Sequence, residues 1–104
     1  MAATAAKIVY PHITKNPDVC SGRPCVQGTR VRVMDIVAMN REGSSPERIV
    51  EEFTSLSGVE DVYAALLYYR DHRDEVEADF AEAQRASEKS ERLEQELLKQ
   101  RLGR

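Results

Sequence analysis

The chain of 104 residues (11.8 kDa) has room for one domain of ordinary size. With 41% hydrophobic and 32% charged residues, no Trp, five Gly and four Pro, it is neither collagen-like nor a Pro/Gly-rich disordered polymer. No apolar run approaches the roughly 20 residues that span a bilayer. The opening Met1 to Lys7 lacks the basic and long apolar regions of a secretion signal, so a cytoplasmic location is expected.

Charge is unevenly placed. Residues 1–50 hold seven Lys/Arg against four acids, a net of +3, whereas residues 51–104 hold eight against fourteen, a net of −6. The formal −3 of the whole chain therefore does not exclude a nucleic-acid partner, because what matters is the charge on one face. Only the N-terminal half could supply such a face.

Residues 7–33 read as short extended pieces joined by turns at Pro11, Asn16-Pro17-Asp18 and Ser21-Gly22-Arg23-Pro24. Val31-Arg32-Val33 alternates apolar and basic side chains, as a half-buried strand does, and Gly28-Thr29-Arg30 before it predicts a tight bend. From Val33 the period changes. Val33, Ile36 and Val37 share one helical face, and Gly43 is placed as a C-terminal stop.

The next helix is announced by Ser44-Ser45-Pro46-Glu47, where serine caps free amides and Pro46 loses no hydrogen bond; its apolar face is Pro46, Ile49, Val50 and Phe53. Ser57-Gly58-Val59-Glu60 has capping-box spacing, and the third helix is predicted to bury Val59, Val62, Tyr63, Leu66 and Tyr69. Leu67 and Tyr68 fall off that face, which predicts a second apolar side and a homodimer. Past Arg70 the pattern stays helical, so the third helix is expected to run on, with an apolar stripe thinning to Val76, Phe80, Ala83, Leu93, Leu97 and Leu98 and one Glu88–Arg92 pair. The organisation expected is an N-terminal arm (1–11), a core of a β element plus three helices (12–77), and a charged C-terminal helical tail (78–104).

The run His12-Ile13-Thr14, Asn16-Pro17-Asp18-Val19 and Gly22-Arg23-Pro24-Cys25-Val26-Gln27-Gly28-Thr29-Arg30-Val31-Arg32-Val33, with Gly43 to Ile49 and Leu56 to Tyr69, resembles the family called domain of unknown function 433. The resemblance covers about residues 12–77. It implies a mainly α fold: a short N-terminal β element on a three-helix, homeodomain-like helix-turn-helix bundle, here with an extended C-terminal helix. It further implies a dimeric antitoxin of a type II toxin–antitoxin pair that represses its own operon and neutralises a PIN-like ribonuclease toxin.

The positions that would approach base edges in such a bundle are Gly58, Val59, Glu60 and Asp61, and two carboxylates there oppose phosphate. DNA contact is therefore expected from Arg23, Arg30, Arg32, Arg41 and Arg48, mostly to phosphates. That expectation requires guanidiniums that are not neutralised by local carboxylates. Toxin contact is expected from Phe80, Leu93, Leu97 and Leu98, with the acidic tail matching a cationic nuclease groove. The alternative is a dimeric protein-interaction module that binds no nucleic acid.

Other constellations carry less. Gly28-Thr29-Arg30 reads either as a functional guanidinium or as a structural junction, with Thr29 bonded to local backbone and Arg30 tied to an acid such as Asp35. Cys20 and Cys25 form a single C-x4-C pair without close histidines, which argues against zinc, and the family resemblance with a cytoplasmic setting implies reduced thiols rather than a disulfide. Gly22 to Gly28 lacks the Gly-Lys-Ser/Thr of a phosphate loop. No catalytic set and no cofactor motif emerges, so an enzyme is not expected.

Overall fold

The computed structural model describes residues 7–102. Strand β1 (Lys7–Tyr10) pairs antiparallel with β2 (Ile13–Lys15), and β2 pairs antiparallel with β3 (Cys25–Val26), giving the order β1-β2-β3. Only Pro11 and His12 join the first two strands, and His12 accordingly takes a left-handed backbone (φ 68°). A 3-10 turn over Cys20–Gly22 leads to β3. The expected arm at 1–11 is partly this β1, and its first six residues lie outside the described residues.

The strand expected at Val31–Val33 does not form. Arg32 makes one isolated bridge to Cys25, and Val33 already begins α1 (Val33–Arg41). The Asp35 carboxylate accepts the Arg32 backbone N–H (3.0 Å) and so starts the helix where alternation suggested a ladder. Helix α1 ends as Gly43 predicts: at φ +101°, its N–H bonds to Asn40 O and that of Ser44 to Met39 O, a Schellman motif. Helix α2 (Pro46–Glu52) starts with Ser45 Oγ accepting the Arg48 N–H at 3.2 Å, and it buries Ile49 with Val50 and Phe53 half-buried.

Helix α3 (Val59–Asp71) buries Asp61, Val62, Ala64, Ala65 and Tyr68, a face rotated from the expected one. Val59, Leu66 and Tyr69 are half-buried and Tyr63 is exposed. Hydropathy alone removes a carboxylate from a buried face. Asp61 nevertheless sits there because Ser57 donates to it from both backbone N–H (2.8 Å) and hydroxyl (2.9 Å).

Helix α3 does not run on. His72 leaves helical geometry (φ −130°, ψ 44°), and α4 (Arg73–Leu102) starts anew in another direction. The kink lets the first turns of α4 return to the body, where Val76 is fully buried and Phe80 and Ala83 lie against the core. This covers the side of α3 carrying Tyr68. That ring is buried, stacks on His72 (centroids 4.1 Å apart) and meets Tyr10 edge-on at 5.5 Å. The boundary expected at residue 78 therefore falls inside the core. The rest of the core is Ile13, Val26, Val31, Val33, Met34, Ile36, Val37, Ile49, Leu56 and Val62.

Candidate interaction surfaces

The first turns of α4 carry Val76, Phe80 and Ala83 as an apolar stripe, with carboxylates on both edges. Those carboxylates meet the bases of the N-terminal half. Lys15 pairs with Glu75, and Arg23 pairs with Glu82 and Asp79 (3.4 Å to the latter). Arg41 pairs with Glu77, donates to the Tyr69 hydroxyl (2.7 Å), and lies 4.5 Å from the centroid of the Phe80 ring. Burial pushes the Asp79 carboxyl up, and Arg23 only partly offsets this.

Three of the five arginines expected at a DNA surface are thus held by carboxylates. Arg23 and Arg41 are held by α4, and Arg32 grips Asp35 through both Nε (3.0 Å) and Nη2 (2.8 Å). Arg48 is exposed beside Glu52 at 3.7 Å, one helical turn on. Arg30 is exposed at the tip of the turn after β3 and has no ion pair among the described residues. The acid expected to tie Arg30 is Asp35, and it is Arg32 that takes it. Three of the seven N-terminal bases, Lys15, Arg23 and Arg41, thus complement the first turns of α4 within the chain.

Gly28-Thr29-Arg30 builds that turn. Gly28 has φ +78°, a conformation that costs other residues free energy, and Thr29 Oγ1 donates to Val26 O (2.9 Å) while accepting the Val31 N–H (3.0 Å). Cys20 and Cys25 are free thiols. The former donates weakly to Arg30 O, and burial first, then the neighbouring Cys20 thiol, pushes Cys25 up to about 12.

Among the described residues, large exposed apolar side chains gather at two places. Tyr63 and Leu67 on α3, 50% and 45% exposed, border a depression completed by Tyr10 and Pro11. Beyond Ala83, α4 leaves the body, and Leu93, Leu97, Leu98 and Leu102 are all more than half exposed. Phe80, expected among the toxin contacts, belongs instead to the intramolecular stripe. Glu88 accepts from Gln84 (3.1 Å), and no Glu88–Arg92 ion pair forms among the described residues. The acids of α4 lie mostly in its docked half: residues 84–102 hold five bases against four acids. A cationic groove therefore finds no acidic excess on the free part.

Residues 13–69 match the family model described as "Protein of unknown function (DUF433)". The chain belongs to the DUF433 family. This DUF433 chain is 41% identical over 56 residues to "Uncharacterized protein y4eO" of Sinorhizobium fredii (strain NBRC 101917 / NGR234), which covers 54% of the chain. The likeness spans only 25% of that relative's length. A crystal structure of a DUF433 member from Anabaena variabilis ATCC 29413 superposes with a TM-score of 0.62 at 27% identity, covering 67% of this chain and 68% of that one. The DUF433 match ends at Tyr69, so α4, whose acids cover the arginines, lies beyond it. Among the described residues no helix is long and apolar enough to cross a membrane.

Sequence reasoning missed Asp61, His72 and the acids of α4 as structural determinants. The available signal was positional: Glu75, Glu77, Asp79 and Glu82 flank an apolar stripe, which is where ion pairs across a helix-to-body contact belong.

Proposed function

We propose that this chain acts by binding proteins: its body pairs with a second copy, and the free end of α4 lies along a partner, as an antitoxin lies on a PIN-like ribonuclease toxin. The observation that carries this reading is the set of exposed leucines on the part of α4 that has left the body. Packing supplies most of a helix's stability in proteins and the free end of α4 has none within the chain, while a fully buried leucine side chain contributes about 2 kcal/mol, so a groove that accepts these side chains steadies the helix as it binds it. The antitoxin setting comes from the family resemblance, as does reading α1, α2 and α3 as a homeodomain-like helix-turn-helix unit. Contact in this reading is apolar, since residues 84–102 carry no acidic excess.

Operator DNA has weaker support. Arg23, Arg32 and Arg41 are occupied, which leaves Arg30 and Arg48 as accessible guanidiniums. The reading favoured here is the module that needs no nucleic acid.

The test is co-expression with the product of the adjacent open reading frame, comparing the full chain with a variant carrying serine at Leu93, Leu97, Leu98 and Leu102. Loss of the complex with an intact fold is expected; a complex that survives overturns the reading. In a gel shift with the gene's own upstream DNA, no band is expected even at low salt. A salt-sensitive shifted band would restore the repressor.

A further inference from the structure

The turn bearing Arg30 forms one wall of a depression of about 540 Å3, within the range of small-molecule sites. Asn16 and Val19 line it from the loop after β2, Cys25 from β3, and Ser55 from the α2–α3 linker. Among the described residues no carboxylate lines it, in contrast to the hollow beside Arg23, which Glu75, Asp79 and Glu82 border. Thr29, also in the wall, has spent its hydroxyl on the backbone.

Four donors of the wall remain without an intrachain partner among the described residues: the Arg30 guanidinium, the Asn16 NH2 (its Oδ1 accepts the Asp18 N–H), the Ser55 hydroxyl and the hydroxyl of the largely buried Thr14. The rest of the wall is mostly apolar, including Val19 and the Cys25 side chain.

We propose that this depression binds a small organic carboxylate, its head group on the Arg30 guanidinium with Asn16 and Ser55 as flanking donors, its apolar body against Val19 and Cys25. A guanidinium presents two parallel N–H groups to a carboxylate. One cation balances a monoanion, whereas a phosphate monoester carries nearly two charges at neutral pH and would leave one uncompensated. The site is separate from the leucines of α4, so its existence does not depend on the protein-binding reading above.

The test is a titration of the 15N-labelled full chain, followed by amide shifts, with benzoate, benzyl alcohol, phenyl phosphate and acetyl-phenylalanine as probes. Benzoate is expected to give saturable shifts confined to Asn16, Gly28, Thr29, Arg30 and Ser55. Arg30→Gln, a change at an exposed side chain without intrachain bonds, should weaken it by about tenfold or more, as should replacing benzoate with neutral benzyl alcohol. No saturable shift at about 20 mM benzoate, a limit set by the millimolar affinities of fragments, overturns the site. So does equal binding by benzyl alcohol or by the Arg30→Gln chain. Tighter binding of phenyl phosphate overturns the carboxylate assignment. Tighter binding of acetyl-phenylalanine overturns the small-molecule assignment in favour of a polypeptide C-terminus.

Discussion

Asp61 and Ser57 close the start of α3 on each other: one carboxylate oxygen accepts both the backbone N–H and the hydroxyl of Ser57, at 2.8 and 2.9 Å. The other carboxylate oxygen faces His12 Nδ1 at 3.1 Å, across from the β1–β2 turn. A buried acid thereby joins the sheet to the helical body.

Removing that acceptor strands donors in a part-buried site. Asp61→Ala is expected to destabilise the fold by about 2–3 kcal/mol in urea unfolding. His12→Ala should cost less than about 1 kcal/mol, because its side chain is half exposed and solvent screens the pair. Equal losses for the two variants would show that the histidine contact, not the pair of bonds from Ser57, holds the junction.

The two halves of α4 should respond oppositely to substitution. Val76→Ala removes part of a fully buried side chain and is expected to cost about 2 kcal/mol. Leu97→Ser, at a side chain 63% exposed, should stay within about 0.5 kcal/mol for the isolated chain. Thermal unfolding of both variants checks the contrast, and a large loss for Leu97→Ser would mean that the free half is already packed.

Thr29 tests the structural side of the Gly28-Thr29-Arg30 motif. Thr29→Val deletes the hydroxyl that bridges Val26 O and the Val31 N–H and should cost about 1–2 kcal/mol, while Thr29→Ser should be close to neutral. Denaturant midpoints decide it: loss from Thr29→Ser with Thr29→Val close to neutral would place the contribution in the methyl group.

Acid should destabilise the chain through α4. Burial pushes Glu75 up, but Lys15 and the Tyr68 hydroxyl outweigh it and hold the carboxyl below its ordinary value. Glu77 is held down by the Tyr69 hydroxyl and Arg41, and Asp71 by the Tyr10 hydroxyl and Arg70. Groups lowered by folding add stability that is present above their unfolded values and is lost as pH falls through the folded ones. Asp79, raised by burial, acts in the reverse sense: its contribution is present below its unfolded value and is lost as pH rises through the folded one. With three groups against one, the urea midpoint should fall as pH drops below about 4.5. Glu75→Gln should flatten that limb. A midpoint unchanged between neutral and strongly acidic pH would refute the coupling.

Much of the helical body was legible from local rules. The Gly43 stop, the Ser45 cap, and the buried faces of α1 and α2 follow from backbone chemistry and a 3.6-residue period that needs no partner to be read. The candidate site was legible in identity but not in state. The five arginines are where an electrostatic reading looks, yet Arg23 and Arg41 meet carboxylates 59 and 36 positions away in the chain. A charge count cannot distinguish a cation facing solvent from one facing Glu77.

The sequence by itself determined the α1 stop at Gly43, the α2 start at Ser45, the β element's place before them, and membership of DUF433 through residues 13–69. Tertiary structure alone decided the break at His72 and the return of α4, and with them the burial of Tyr68 and the occupation of Arg23 and Arg41. The reason is physical. Caps and periods act over a few residues, whereas a charge or an aromatic ring is defined by whatever the folded chain brings within a few ångströms of it.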